Sequence, residues 1–126
     1  MTPKQLVDTS SRDHADMSGL VERLRAALDG GDCDLMQSLL TQLLMVEVRH
    51  YANEEALMRA VAYDHADPHR AEHATMVDTL TRIVETLVVE NLASVSPQVV
   101  AHLETALAHM IDADQKLNHF VSASTG

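Results

Sequence analysis

Residues 50–73 decide how this chain folds, and they read HYANEEALMRAVAYDHADPHRAEH. Two pairs of potential metal ligands stand near its ends, His50 with Glu54 and His69 with His73, and each pair is spaced by four residues. On an α-helix this spacing puts both members of a pair on one face, about 6 Å apart along the axis. The segment therefore predicts two successive helices that each present a pair of ligating side chains.

The rest of the chain has the composition and the punctuation of a helical bundle. It contains only four Gly and three Pro, which favours helix throughout. Helix start and stop signals occur at Gly30-Gly31, Asp32, Asp67-Pro68 and Ser96-Pro97. They predict helices over roughly residues 10–29, 34–62, 67–90 and 96–121, with Asp32, Asp67 and Ser96 as N-caps. Because the connections are short, neighbouring helices should be antiparallel. We therefore predict an all-α, up-down-up-down four-helix bundle that forms one domain over residues 1–126.

Composition also limits the class of protein. Hydrophobic residues make up 46% of the 126 residues, enough for one globular core. No apolar stretch approaches the ~20 residues of a membrane span, and the start of the chain lacks the apolar segment of a secretory signal. We therefore expect a cytoplasmic protein without a membrane partner. A net charge of −10 with nine Lys and Arg argues against a nucleic-acid partner, because phosphate binding needs clustered basic side chains.

Polar residues interrupt the apolar stripe of every predicted helix, although an unpaired buried polar group costs several kcal/mol. These residues are His14, His50, Glu54, His69, His73 and Asp114, with His109 beside the last stripe. In an up-down-up-down bundle, the start of the first helix, the end of the second, the start of the third and the end of the fourth share one end. All seven side chains should therefore converge at one level of the bundle, on its inner faces.

Five imidazoles and two carboxylates are too many ligands for one tetrahedral zinc ion. They suit two ions of octahedral type that the carboxylates bridge, and iron, manganese and zinc all accept such donors. Ferritins and carboxylate-rich di-iron oxidases need two Glu-x-x-His motifs. This chain has one, Glu47-Val-Arg-His50, and we interpret it as coincidental. A purely structural bundle would not gather seven ligand-type residues at one end.

The combined order of these residues resembles the complete ligand set of the hemerythrin family. The order is His14, His50-x3-Glu54, His69-x3-His73 and His109-x4-Asp114, and the stretches HYANEEALM at 50–58 and HRAEH at 69–73 are similar to the family's motifs. The resemblance implies two iron ions, one bound by His69, His73 and His109, the other by His14 and His50. Glu54 and Asp114 would bridge them together with an oxo or hydroxo group.

The implied function is reversible binding of dioxygen at the open position of the second iron, in a carrier, a delivery protein or a soluble oxygen sensor. The alternative is a di-iron redox enzyme that acts on peroxide or nitric oxide. The resemblance further implies that Met17, Tyr51, Thr105 and Met110 line the dioxygen pocket. Tyr51 and Thr105 stand where the family usually has Phe and Trp, so we expect a less aromatic, more polar pocket and faster autoxidation. No protein partner is indicated, and His65, His102 and His119 are expected at the surface.

Overall fold

The computed structural model describes residues 2–89 and 96–125. These residues contain four α-helices. They are α1 (Pro3–Gly30), α2 (Cys33–Val61), α3 (Ala66–Val89) and α4 (Pro97–Thr125). The described residues contain no strand, so the prediction of an all-α four-helix bundle is confirmed. Within these ranges, no helix has both the length and the apolar character that crossing a membrane would require.

α1 begins at Pro3 rather than near the predicted Ser10, because a capping box formed by Thr2 and Gln5 fixes its first turn. The Thr2 hydroxyl accepts a hydrogen bond from the Gln5 backbone N–H (3.2 Å), and the Gln5 side chain accepts one from the Thr2 N–H (2.8 Å). At the other end, Gly31 adopts φ 68°, where the absence of a Cβ removes the steric penalty. The capping box therefore places the start of α1 about two turns before the predicted start.

The remaining helix ends match their predicted caps in two of three cases. Asp32 caps α2 by accepting the Leu35 N–H at 3.1 Å, and Ser96 caps α4 by accepting the Val99 N–H at 3.3 Å. The prediction of Asp67 as an N-cap is wrong, because α3 already begins at Ala66 and Asp67 lies in its first turn. The predicted end of the third helix, near residues 90 and 91, lies outside the described residues.

Buried residues recur along the helices in alternating steps of three and four, which is the spacing of a bundle seam. The series are Leu6, Ser10, Asp13, Met17, Leu20, Leu24 and Ala27 in α1; Met36, Leu40, Leu43, Glu47, His50, Glu54 and Leu57 in α2; and Val100, Leu103, Leu107, Met110, Asp114, Leu117 and Val121 in α4. Contacts join residue 14 to 114 and residue 25 to 104, so the chain numbering runs in opposite directions along α1 and α4.

Two apolar clusters lie on either side of a polar layer. The larger cluster includes Met17, Leu43, Met76 and Met110. The smaller one consists of Leu6, Leu57, Met58, Leu117 and Val121. In α1, α2 and α4 the polar seam residues fall between these two groups, so the fold places a set of titratable side chains inside an otherwise apolar interior.

Candidate metal centre

The polar layer brings together six of the seven residues expected to bind metal. They are His14 of α1, His50 and Glu54 of α2, His69 and His73 of α3, and Asp114 of α4, and none is more than 9% exposed. Each helix contributes at least one of them from its inner face. Residues that are distant in the chain therefore form one buried cluster, because each lies on the inner face of its helix.

Asp114 lies at the centre of this cluster and divides it into two halves. Its Oδ2 is 2.7 Å from Nε2 of His14 and 2.7 Å from Nε2 of His50. Its Oδ1 is 2.9 Å from Nε2 of His69 and 3.1 Å from Nε2 of His73. We call these groups the His14–His50 half and the His69–His73 half. Across the two halves, ligand atoms of His50, Glu54, His73 and Asp114 lie within 4.8 Å of one another, which is close enough to hold a metal ion.

Glu54 spans the same two halves from the other side. Its Oε1 is 3.0 Å from Nε2 of His73, 3.1 Å from Nε2 of His69 and 3.2 Å from Nε2 of His50. Its Oε2 is buried and has no hydrogen-bond partner among the described residues. Buried carboxylate oxygens are normally satisfied, so this free oxygen indicates a site that can accept a cation.

The charges of the cluster are strongly coupled. Burial alone lowers the pKa of His50, but hydrogen bonds to Asp114 and Glu54 outweigh it and raise that pKa to about 10. The same balance of burial and carboxylate partners raises the pKa of His69 to about 9 and that of His73 to about 12. Burial raises the pKa of Asp114, yet hydrogen bonds from the histidines hold it well below its usual range. A metal ion would therefore have to displace the protons that the carboxylate partners favour on these imidazoles.

Two further buried carboxylates lie behind the histidines, and the sequence analysis missed both as site residues. Asp13 Oδ2 is 3.2 Å from Nδ1 of His50, while its Oδ1 accepts a hydrogen bond from Arg49 at 2.6 Å. Glu47 Oε1 is 3.5 Å from Nδ1 of His73. The signal that could have found them is their seam position, since each occupies a step of three or four where an apolar residue would otherwise pack.

The structure does not bring His109 or Thr105 to the cluster, contrary to expectation. Both are exposed, and the His109 side chain, 72% exposed, has its Nε2 3.5 Å from Oε1 of Glu72. α4 remains α-helical between His109 and Asp114. A step of five residues rotates the side-chain direction by about 140° around the helix axis, so these two side chains point to different faces. Thr105 precedes His109 by one turn and shares its outward face. The placement therefore supports neither His109 as a ligand nor Thr105 as a pocket residue.

The other expected pocket residues lie closer to the cluster. Met17 and Met110 are buried in the larger apolar cluster, about one helical turn from His14 and Asp114. Tyr51 is half-buried, and its ring centroid is 5.6 Å from that of His73. Tyr51 also lines a groove of about 400 Å³ between α2 and α3, so it contacts both the site and a surface opening.

The placement of His109 leads to a direct comparison of two variants. We expect His109→Ala to retain most of the metal bound by the wild type, because its side chain faces solvent, whereas His73→Ala should lose at least one ion. The measurement is metal content per chain after identical loading and desalting. The exposed His102 provides the control variant His102→Ala. Equal losses in His109→Ala and His73→Ala would contradict the placement and would show that α4 rearranges when metal binds.

Comparison with known families gives one finding. A family model described as the hemerythrin HHE cation-binding domain matches residues 5–117. The matched range includes all six clustered residues and parts of all four helices. Neither the curated proteins nor the solved structures give a match to this chain.

Proposed function

Because the chain belongs to the hemerythrin HHE cation-binding family, we propose that it holds two iron ions with a bridging oxo or hydroxo group and binds dioxygen reversibly. The observation that carries this proposal is the position of Asp114, whose two carboxylate oxygens each face a different pair of imidazoles. Glu54 adds a second carboxylate in contact with both halves. Two carboxylates that each contact both pairs of imidazoles support two ions rather than one.

The spacing of the donor atoms fits first-row metal ions. Ligand atoms at right angles around one octahedral ion, each about 2.1 Å from it, lie about 3.0 Å apart. The distances between imidazole nitrogens and carboxylate oxygens range from 2.7 Å to 3.2 Å, close to that value. Imidazole with carboxylate is a donor set that iron accepts, and the free Oε2 of Glu54 offers one more oxygen.

The buried charges also fit a pair of divalent cations. Asp114 and Glu54 face the centre directly, while Asp13 and Glu47 stand behind the histidines, and all four carboxylates are at most 2% exposed. Two divalent ions would offset these negative charges, which are costly in an apolar interior unless paired. The proposed ligands are therefore His14, His50, Glu54, His69, His73 and Asp114.

The side chains around the proposed centre would hold the ions, orient their ligands and exclude water during dioxygen binding. Two iron ions bound here would supply the electrons with which dioxygen is taken up and released. Asp114 and Glu54, which contact both pairs of imidazoles, would hold the two ions at a fixed separation, and the buried imidazoles offer Nε2 towards the centre. Met17 and Met110 on one side, with Leu57 and Leu117 on the other, exclude bulk water that would promote irreversible oxidation. These properties suit a carrier, a delivery protein or a sensor of dioxygen.

The rival function is a redox enzyme that acts on peroxide or nitric oxide. The observation that favours it is Tyr51, which contacts the His73 ring and lines the groove between α2 and α3. This groove would let small polar molecules approach the site more closely than a sealed apolar interior would.

Rapid mixing of the anaerobically reduced, iron-loaded protein with air distinguishes the two functions. We expect an optical change that reverses when dioxygen is removed, as reversible binding requires. Immediate conversion to a stable ferric spectrum, together with multiple turnovers of peroxide or nitric oxide, would replace the carrier or sensor with the enzyme. A Tyr51→Phe variant, which keeps the ring and removes the hydroxyl, serves as the matched comparison for turnover.

A further inference from the structure

Glu47 is a buried acid that the proposed ligand set does not use. It is fully buried in the seam of α2, between Leu43 and His50. Neither of its carboxylate oxygens has a hydrogen-bond partner among residues 2–89 and 96–125, and no Lys or Arg in these ranges forms an ion pair with it. A buried carboxylate without compensation is strongly unfavourable, so its presence at a leucine-type position requires a reason.

The nearest polar group to Glu47 is the outer nitrogen of a proposed ligand. Nδ1 of His73 lies 3.5 Å from Oε1 of Glu47, and Nδ1 is likewise buried without a hydrogen-bond partner. The other nitrogen of the same ring, Nε2, is 3.0 Å from Glu54 and 3.1 Å from Asp114. The two nitrogens of His73 therefore face carboxylates on opposite sides, the metal centre on one side and Glu47 on the other.

We propose that Glu47 is a positioning residue for His73. When Nε2 binds the ion of the His69–His73 half, the ring hydrogen is on Nδ1, and a shortening of the 3.5 Å separation would let Glu47 accept it and fix this tautomer. Histidines that bind metals are generally held in this way, and the carboxylate also increases the basicity of the ring. This inference rests on the proposed metal centre.

Asp13 does the equivalent for His50 in the other half, with one difference. Asp13 is shared with Arg49, whose guanidinium neutralises it at 2.6 Å, whereas Glu47 has no cationic partner among the described residues. Within the described parts of the chain, the only polar group that the structure gives Glu47 as a neighbour is the His73 imidazole, so the carboxylate acts mainly on the His69–His73 half. Its removal should weaken the binding of one ion and leave the ion of the His14–His50 half in place.

Competition for ferrous iron tests the proposal in Glu47→Gln, Glu47→Leu and the matched variant Asp13→Asn. Each full-length protein is loaded anaerobically and titrated with a chromogenic ferrous chelator. We expect Glu47→Leu to release one of its two ions at about 10–100-fold lower chelator concentration than the wild type. Glu47→Gln should show a smaller effect, because its amide oxygen can still accept the Nδ1 hydrogen.

Thermal unfolding of the metal-free proteins separates positioning from a structural role. A positioning role predicts that Glu47→Leu lowers the melting temperature of the metal-loaded protein more than that of the metal-free protein. A variant that loses as much stability without metal as with metal would overturn the proposal. Unchanged iron retention in both Glu47 variants, beside a wild type that holds two ions, would overturn it while leaving the proposed function intact. A wild type that never holds two ions would overturn both.

Discussion

Asp114→Asn is expected to reduce the iron content from two ions per chain to at most one. Asp114 contacts all four clustered imidazoles, two through each oxygen. Asparagine keeps the shape, but it removes the negative charge and replaces one oxygen with an amide group that cannot bind a cation. Both halves of the site lose a ligand or its charge in one substitution. Glu54 also contacts both halves, but it does so through one oxygen and does not reach His14.

The neighbouring Asp112 provides the control for this variant. Its side chain is 68% exposed and pairs with Lys116 across one turn of α4, away from the centre. Asp112→Asn removes the same charge from the same helix and should keep both ions. Metal analysis after anaerobic loading measures the difference. If Asp114→Asn still bound two ions as tightly as Asp112→Asn, Asp114 could not be the bridging ligand.

Removal of the metal should lower the melting temperature by at least about 10 °C. Ions that bind only the folded protein stabilise it by about 4 kcal/mol each at a thousandfold excess over the dissociation constant. For a chain of this size, 1 kcal/mol corresponds to about 3–4 °C. Differential scanning calorimetry of loaded and chelator-treated protein measures the shift. An unchanged melting temperature after complete removal of metal would contradict a centre that links all four helices.

The shift should also grow as the pH rises from about 6.5 to about 9. In the metal-free protein the pKa of His50 is raised from 6.5 to about 10, because its carboxylate partners outweigh burial. The stability that this protonated imidazole contributes is fully present below pH 6.5 and is lost as the pH rises through about 10. Metal binding needs the deprotonated ring, so the stability gained from metal increases over the same interval. A shift that is constant or shrinks with rising pH would contradict this coupling.

The fold and most of the cluster could be predicted because both depend on local spacing. Four-residue steps place His50 with Glu54 and His69 with His73 on single faces, whatever the rest of the chain does. Caps such as Asp32 and Ser96 act through bonds to residues only three positions away. Such features can be predicted from the sequence because they depend only on residues three or four positions apart.

The structure does not bring His109 and Thr105 to the cluster, and their placement depends on the rotation of α4 relative to its neighbours. A five-residue step from His109 to Asp114 cannot share a face on a regular α-helix, and α4 places Asp114 and Met110 inwards. Asp13 and Glu47 were not predicted as site residues, although their helix faces are turned inwards. Both sit on the seam, but their role depends on which histidine of another helix lies opposite, and spacing within one helix does not show this.

The number of iron ions bound per chain tests the central claim most directly. The wild-type protein should be loaded with ferrous iron without oxygen, desalted, and analysed for iron and protein in the same sample. We expect two ions per chain, since Asp114 and Glu54 each face both halves of the buried cluster. One tightly bound ion, or none, would contradict it.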